Sequence, residues 1–182
     1  LLDAQRAIRL PHANAAAWKI DLQRIGILGF SAGGHVASTA LTHFNAGDAT
    51  NADPIERLSC RPDIGWLVYP VVTMGEFTHT GSKKELIGEN PPAELLRLYS
   101  NELQVTDDTP PVFLAHAIDD KPVPIENSRQ FVAAMQKHHR PVELLELPNG
   151  GHGLNGCKGL LWEEWKAKSL VWLATQKVIP PN

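Results

Sequence analysis

The residues best suited to chemistry lie around Ser31, in the pentapeptide Gly29-Phe30-Ser31-Ala32-Gly33. This G-x-S-x-G pattern falls between a short apolar segment that predicts a strand and an amphipathic segment that predicts a helix. Such a turn bends sharply and exposes the serine hydroxyl, while its flanking glycines let strand and helix pass closely. The backbone N–H of Ala32, at the start of the helix, would point at the same site and stabilise an oxyanion. The pattern therefore predicts Ser31 as a nucleophile.

Acidic residues and a histidine follow Ser31 in the order that a serine nucleophile of this kind requires. Asp119 and Asp120 come shortly after a later predicted strand, and His152 lies in a glycine-rich loop after the next one. A serine hydroxyl needs a base to take its proton, and the histidine needs a carboxylate to orient it. The sequence thus predicts a catalytic triad of Ser31, His152 and one of the two aspartates.

Helical and strand-like patterns alternate along the chain, which favours an α/β fold with a mostly parallel sheet and helices on both faces. Strands are predicted at 24–29, 64–69, 112–116 and 142–147. Long helices are predicted at 3–18, 32–45, 125–138 and 160–173. We expect Pro11 to kink the first helix and Gly47 to cap the second.

The connection 75–109 is long and rich in Gly, Pro, Ser and charged residues. One short helix is predicted in it, near 93–100. Because long connections inside a compact domain are more often functional than idle, we expect a cap or an active-site insertion.

Composition argues against several classes of protein. The 182 residues, 43% of them hydrophobic and 20% charged, fit one globular domain spanning 1–182. A formal net charge of -3 without Lys/Arg runs argues against a nucleic-acid partner. No apolar stretch approaches the roughly 18 residues that span a bilayer. Cys60 and Cys157 fit no metal-ligand spacing and form either one disulfide or two free thiols, and no metal or organic cofactor is expected.

The remaining histidines and the C-terminal tryptophans are expected to be structural. We expect His35 to pack in the helix after the serine and His116 to support the turn that leads to the acid. Five histidines are predicted at the surface: His12, His43, His79, His138 and His139. Helical spacing favours core packing, rather than a platform for sugar stacking, for three tryptophans: Trp162, Trp165 and Trp172.

With these motifs in place, the sequence resembles the α/β-hydrolase superfamily over essentially its whole length. More narrowly, it resembles bacterial acetyl-xylan-esterase-like and lipase-like carbohydrate esterases. The segments that carry the resemblance are 3–9, 24–35, 100–102 with 109–111, 116–120, 123–128 and 151–153. In these families the acid lies four residues after the strand-end histidine and four before a proline. Counting from His116 and from Pro124 gives Asp120 both times, and Asp119 would then shape the turn.

The resemblance implies two-step hydrolysis of carboxylic esters through an acyl-enzyme, on a small-molecule or polysaccharide ester such as acetylated xylan. We expect short acyl groups, because the segment 75–109 is polar and lacks the broad apolar face that a lid for long chains would offer. A secreted or periplasmic location would accompany a xylan substrate, although the sequence itself leaves the compartment open. Two alternatives stay open: a serine peptidase of the prolyl-oligopeptidase type, and a hydrolase fragment without activity.

The same resemblance implies a segment upstream of Leu1. Such enzymes carry several strands before the serine and a His-Gly-Gly-Gly-type loop that supplies further oxyanion donors, whereas one predicted strand precedes Ser31 here. The chain is thus expected to be the C-terminal two-thirds of a hydrolase domain, without the N-terminal strands and with Ala32 as its one oxyanion donor. Loss of one such donor typically costs about 10²–10³ in rate.

Overall fold

The four predicted apolar segments pair side by side in the order in which they occur along the chain. A computed structural model describes residues 1–180, so the last two residues of the predicted domain lie outside the described part. Within residues 1–180 all strand pairs are parallel and the order is β1-β2-β3-β4. The strands are β1 (Gly26–Phe30), β2 (Ile64–Val68), β3 (Val112–Ala117) and β4 (Val142–Leu147). The predicted α/β fold with a parallel sheet is confirmed.

Helices alternate with these strands and continue beyond them. They are α1 (Leu2–Trp18), α2 (Ser31–Thr42), α3 (Thr80–Ile87), α4 (Ala93–Tyr99), α5 (Glu126–Lys137), the single turn α6 (Leu154–Cys157) and α7 (Gly159–Thr175). A 3₁₀ turn at Asn101–Leu103 follows α4. Since the strands are parallel, the loops that leave their carboxyl ends all lie at one edge of the sheet.

Both faces of the sheet are covered, as the sequence predicts. Leu41 of α2 and Phe131 of α5 are fully buried against one face. Trp165 and Trp172 of α7 are buried against the other, where the ring of Trp172 lies 5.8 Å from that of Phe113. Burying a large apolar side chain stabilises the fold by about 1.5–3 kcal/mol, so α7 contributes to the stability of the domain. The prediction that its tryptophans pack in the core is confirmed for these two.

The first helix, α1, buries one face and carries an exposed tryptophan near its end. Ile8 and Ala15 are buried, but Trp18 is 56% exposed. Around the helix axis the buried residues Ile8, Arg9 and Ala15 span about 120°, and Trp18 lies about 60° outside that arc. Helical backbone continues through Pro11 on both sides.

The second helix ends earlier than predicted. α2 ends at Thr42, so Gly47 does not cap it. Gly47 instead has φ +90° in the following loop, where an added Cβ would overlap the Arg57 carbonyl. Within residues 1–180, β1 pairs with β2 alone, and Leu28 is 49% exposed.

The segment 75–109 contains one helix more than predicted. The expected helix is α4, and α3 precedes it. α3 has few apolar residues besides Leu86 and Ile87, so its sequence carries little helical periodicity. Its start is marked by His79, whose Nδ1 accepts the N–H of Ser82 at 3.2 Å and caps the helix.

The cysteines and peripheral histidines agree with the predictions in part. Cys60 is buried and Cys157 is exposed, and both are free thiols, so the disulfide alternative is wrong. His139 is exposed as expected. The other histidines predicted at the surface are half-buried: His12, His43, His79 and His138.

Candidate active site

The three residues predicted to act together meet at the carboxyl edge of the sheet. Ser31 follows β1 directly, Asp120 lies three residues after β3, and His152 lies five residues after β4. Oγ of Ser31 is 2.7 Å from Nε2 of His152. Nδ1 of the same imidazole is 2.8 Å from Oδ2 of Asp120. A continuous hydrogen-bonded chain therefore runs from a hydroxyl through an imidazole to a carboxylate.

The backbone at Ser31 is strained in the way that the sequence motif predicts. Its φ of +53° lies in the left-handed region that residues other than glycine rarely adopt. A Cβ on Gly29 would overlap the Gly33 carbonyl oxygen and come within 2.7 Å of the Ala37 Cβ. A Cβ on Gly33 would meet nothing within 4 Å, whereas one on Gly34 would lie 2.6 Å from the Pro70 Cβ. The close approach thus requires Gly29 and Gly34, and the expected role of Gly33 is corrected.

Asp120 is a buried carboxylate held from several sides. Val123 donates its N–H to Oδ1 at 3.0 Å, and Nε2 of His116 lies 3.3 Å from Oδ2. Burial by itself would raise the pKa of Asp120, but the hydrogen bonds from His116, from the Val123 N–H and from His152 outweigh it. The pKa of Asp120 is therefore lower than usual, which keeps the carboxylate charged beside the imidazole.

Asp119 has a different partner from Asp120. Its Oδ1 accepts the backbone N–H of Gly151 at 2.8 Å, one residue before His152. Gly151 and Gly153 have φ values of +55° and +92°, which glycine adopts without steric cost. Asp119 and the two glycines shape the loop that presents His152, and Asp120 contacts the ring itself.

Tyr69, directly after β2, also belongs to this site and was missed by sequence reasoning, which treated it as the end of a strand. It is buried, and its ring meets that of His152 edge-on, with centroids 5.0 Å apart. Its hydroxyl lies 3.6 Å from Sγ of Cys157, and burial raises the pKa of Tyr69. The useful signal was its position, because the carboxyl ends of all parallel strands meet at this edge.

Buried hydrogen bonds connect the segment 75–109 to α2. The side-chain amide of Asn101, fully buried, donates to Oγ of Ser38 at 2.7 Å. Nε2 of His35 donates to the Tyr99 carbonyl at 2.8 Å, and burial lowers the pKa of His35, which keeps its ring neutral. As expected, His35 packs within α2, and it also anchors the segment beside Ser31.

A cleft of about 480 Å³ opens next to Ala32. Its walls come from the first turns of α2, from Met74 and from α3. Val36 and Leu86, 49% and 46% exposed, both line it and give it apolar walls, whereas Glu85 adds a carboxylate. Although the segment 75–109 is polar overall, it thus contributes an apolar side chain to this cleft.

The site brings a serine hydroxyl, an imidazole ring and the start of a helix together. The N–H of Ala32 belongs to the first turn of α2, where backbone donors have no partner within the helix and can bind an oxyanion. Within residues 1–180, no group of three His, Cys, Asp or Glu side chains is placed to hold a metal ion. No helix in the same range is long and apolar enough to cross a membrane.

Comparison with known proteins relates the chain to esterases. A structure described as an acetyl ester-xyloside bifunctional hydrolase from Caldicellulosiruptor lactoaceticus is 47% identical, with a TM-score of 0.94 over 98% of this chain and 66% of that one. Endo-1,4-beta-xylanase B of Butyrivibrio fibrisolvens is 38% identical over 91% of this chain. Acetylxylan esterase of Xylanibacter ruminicola is 32% identical over 83% of this chain.

The matched region is only part of each of these proteins. The chain spans 26% of the xylanase and 30% of the acetylxylan esterase. The model of the BD-FAE family matches residues 1–135, which is more than half of the chain. These matches confirm the resemblance to acetyl-xylan-esterase-like hydrolases. The chain belongs to the BD-FAE family and has the α/β-hydrolase fold of these esterases.

Proposed function

We propose that the protein hydrolyses carboxylic esters through an acyl-enzyme, with Ser31 as nucleophile, His152 as general base and Asp120 as the orienting acid. The observation that carries this proposal is the unbroken chain of contacts, 2.7 Å from Ser31 to His152 and 2.8 Å from His152 to Asp120. Kinship with proteins named as acetyl ester hydrolases supports the same reaction.

The contacts of His152 support one direction of proton transfer. The charged carboxylate of Asp120 accepts the Nδ1 hydrogen, so the lone pair of Nε2 faces the Ser31 hydroxyl. Nε2 takes the hydroxyl proton as the Ser31 oxygen attacks the ester carbonyl carbon, and the Ala32 N–H stabilises the negative oxygen that forms. The imidazolium then gives its proton to the leaving alcohol as the carbon–oxygen bond breaks. Water then attacks the acyl carbon as the same Nε2 takes its proton. The imidazolium returns that proton to the Ser31 oxygen as the bond from the acyl carbon to this oxygen breaks and the acid leaves.

The substrate we propose is an acetyl or other short-chain ester on a xylan-type carbohydrate. The cleft beside Ala32, about 480 Å³, has the size of sites that hold drug-sized groups. An acetyl group fills only a small part of such a volume, and a sugar unit matches it better. We therefore place the alcohol part of the ester in this cleft, and the segment 75–109 acts as an active-site insertion because α3 forms one of its walls.

Labelling and turnover with the Ser31→Ala variant test the reaction. The protein should hydrolyse p-nitrophenyl acetate and react with a fluorophosphonate probe at Ser31. Ser31→Ala should lose both, with kcat reduced by about 10⁶ as for other triad nucleophiles. Ser59→Ala, which changes a serine outside the site, should retain both. Labelling of a different serine, or turnover that survives in Ser31→Ala, contradicts the assignment.

Comparison of acyl groups and alcohols tests the substrate. The protein should release acetate from acetylated xylan and cleave p-nitrophenyl acetate faster than the octanoate. A preference for octanoate without acetate release from xylan would remove the carbohydrate substrate and leave the esterase reaction standing. Cleavage of a prolyl peptide substrate instead of esters would favour the peptidase alternative.

A further inference from the structure

His116, at the end of β3, is a buried histidine with a partner for each ring nitrogen. Its side chain is fully buried. Nδ1 lies 2.8 Å from Oγ of Ser128 on α5, and Nε2 lies 2.9 Å from the carbonyl oxygen of Val123. A buried imidazole in two such contacts has one orientation, because rotating the ring would leave both polar partners without a hydrogen bond.

These partners determine which nitrogen carries the hydrogen. The Val123 carbonyl can only accept, so Nε2 of His116 must donate. In the neutral ring Nδ1 then accepts the hydroxyl hydrogen of Ser128. The N–H of His116 is thus on the side that faces Asp120, whose Oδ2 is 3.3 Å from the same nitrogen.

Val123 closes a ring of contacts between His116 and Asp120. Its carbonyl accepts from Nε2 of His116, and its own N–H donates to Oδ1 of Asp120 at 3.0 Å. The carboxylate is therefore held at one oxygen by Val123 and approached at the other by two imidazoles, those of His116 and His152. The lowered pKa of Asp120 is consistent with donation from His116.

We propose that His116 is a positioning residue, whose Nε2–H holds Val123 and the Asp120 carboxylate so that Oδ2 stays aimed at His152. This inference rests on the proposed function, since it gives His116 a part in the reaction although it touches no substrate. A misplacement of about 1 Å in a catalytic group can cost about 10²-fold in rate. Loss of the contact by which His116 holds Asp120 should therefore lower kcat measurably.

Two substitutions of His116 by amide side chains separate its role as a hydrogen-bond donor from its role in packing. In His116→Gln the amide nitrogen can reach the place of Nε2, whereas in His116→Asn it reaches only the place of Nδ1. We expect His116→Gln to keep kcat within about threefold of the parent and His116→Asn to lower kcat by about 10²-fold, with KM nearly unchanged in both. Ser128→Ala removes the partner of Nδ1 without touching Asp120 and should keep kcat within about threefold.

Thermal unfolding of the same variants provides the control for stability. If His116 had a purely structural role, kcat would fall in proportion to the loss of melting temperature. This would hold equally for His116→Gln and His116→Asn. The inference is overturned if folded His116→Asn retains parental kcat, or if the Gln and Asn variants lose kcat equally. If His116→Asn does not fold, a folded His116→Gln variant that has lost kcat overturns it, and one with parental kcat supports it.

An NMR measurement tests the inference independently of turnover. The His152 Nδ1 proton, hydrogen-bonded to Asp120, should give a far-downfield resonance in the parent and in His116→Gln. In His116→Asn it should broaden or move upfield. An unchanged resonance in folded His116→Asn contradicts the positioning role. Absence of ester turnover in the parent, with these resonances as expected, would reject the proposed function and leave the positioning of Asp120 intact.

Discussion

Nε2 of His152 lies 2.7 Å from Oγ of Ser31, although 121 residues separate the two along the chain. Neither residue belongs to a strand. Ser31 is the first residue of α2, directly after β1. His152 lies in the loop after β4, the strand at the opposite edge of the described sheet. The contact exists because parallel strands direct their carboxyl ends to one edge, where a loop of a few residues can bridge the remaining distance.

The two neighbouring aspartates should differ sharply in their effect on activity. Asp120→Asn removes the charge that orients the ring of His152, and we expect kcat to fall by about 10⁴, as for the same change in the triad of a serine protease. Asp119 contacts the Gly151 N–H instead, so Asp119→Asn should lower kcat by about tenfold or less. Steady-state hydrolysis of p-nitrophenyl acetate measures both. A larger loss in Asp119→Asn than in Asp120→Asn would exchange their roles.

Stability should depend on pH through Asp120. Its pKa in the folded protein is below the usual aspartate value, since hydrogen bonds from His116, Val123 and His152 outweigh its burial. Its charged form then stabilises the fold at any pH above the ordinary value, and this contribution is lost as pH falls from about 4 through the folded pKa. Urea unfolding between about pH 3 and 7 should show a steeper acid loss in the parent than in Asp120→Asn. Parallel curves for the two proteins would contradict the lowered pKa.

Neighbouring glycines at the serine turn should respond in opposite ways to alanine. Gly29→Ala places a methyl group against the Gly33 carbonyl and the Ala37 Cβ, so we expect a loss of at least about 3 kcal/mol in the free energy of unfolding. Gly33→Ala meets open space inside α2 and should raise that free energy by about 0.5–1 kcal/mol, because alanine favours a helix. Denaturant unfolding compares them. Equal losses would show that the turn needs both glycines.

Filling the cleft should affect large esters more than small ones. Leu86→Trp and Val36→Trp each add bulk to the lining of the cleft. Each should raise KM for acetylated xylobiose about tenfold while leaving KM for ethyl acetate within about twofold. Leu2→Trp changes an exposed leucine of α1 and serves as the matched control. If the cleft variants change neither KM, the alcohol part of the ester binds elsewhere.

Local patterns were sufficient to predict the candidate nucleophile and most of the fold. The strand-like segments, the helices that alternate with them and the turn at Ser31 follow from periodicity and glycine placement within a few residues. Those patterns left two aspartates open, and the resemblance to a known family selected Asp120, the one that contacts His152. Boundaries moved by one to three residues, as at the end of α2, because helix ends depend on what they pack against.

Other features depend on residues that meet only in the folded chain. The close approach at Gly29 depends on where Ala37 comes to lie, and the one at Gly34 depends on where Pro70 comes to lie. α3 carries little periodicity of its own and was missed, although it forms a wall of the cleft.

The sequence by itself determined which residue types stand at the ends of which strands, because hydrophobic periodicity and turn chemistry act over a few residues. The tertiary structure decided how those ends combine. It places Tyr69 against His152, and it brings His116 and Val123 into contact with Asp120. The physical reason is that hydrogen bonds and steric contacts act over a few ångströms in space. Residues far apart in sequence acquire them only when the sheet has brought its strand ends together.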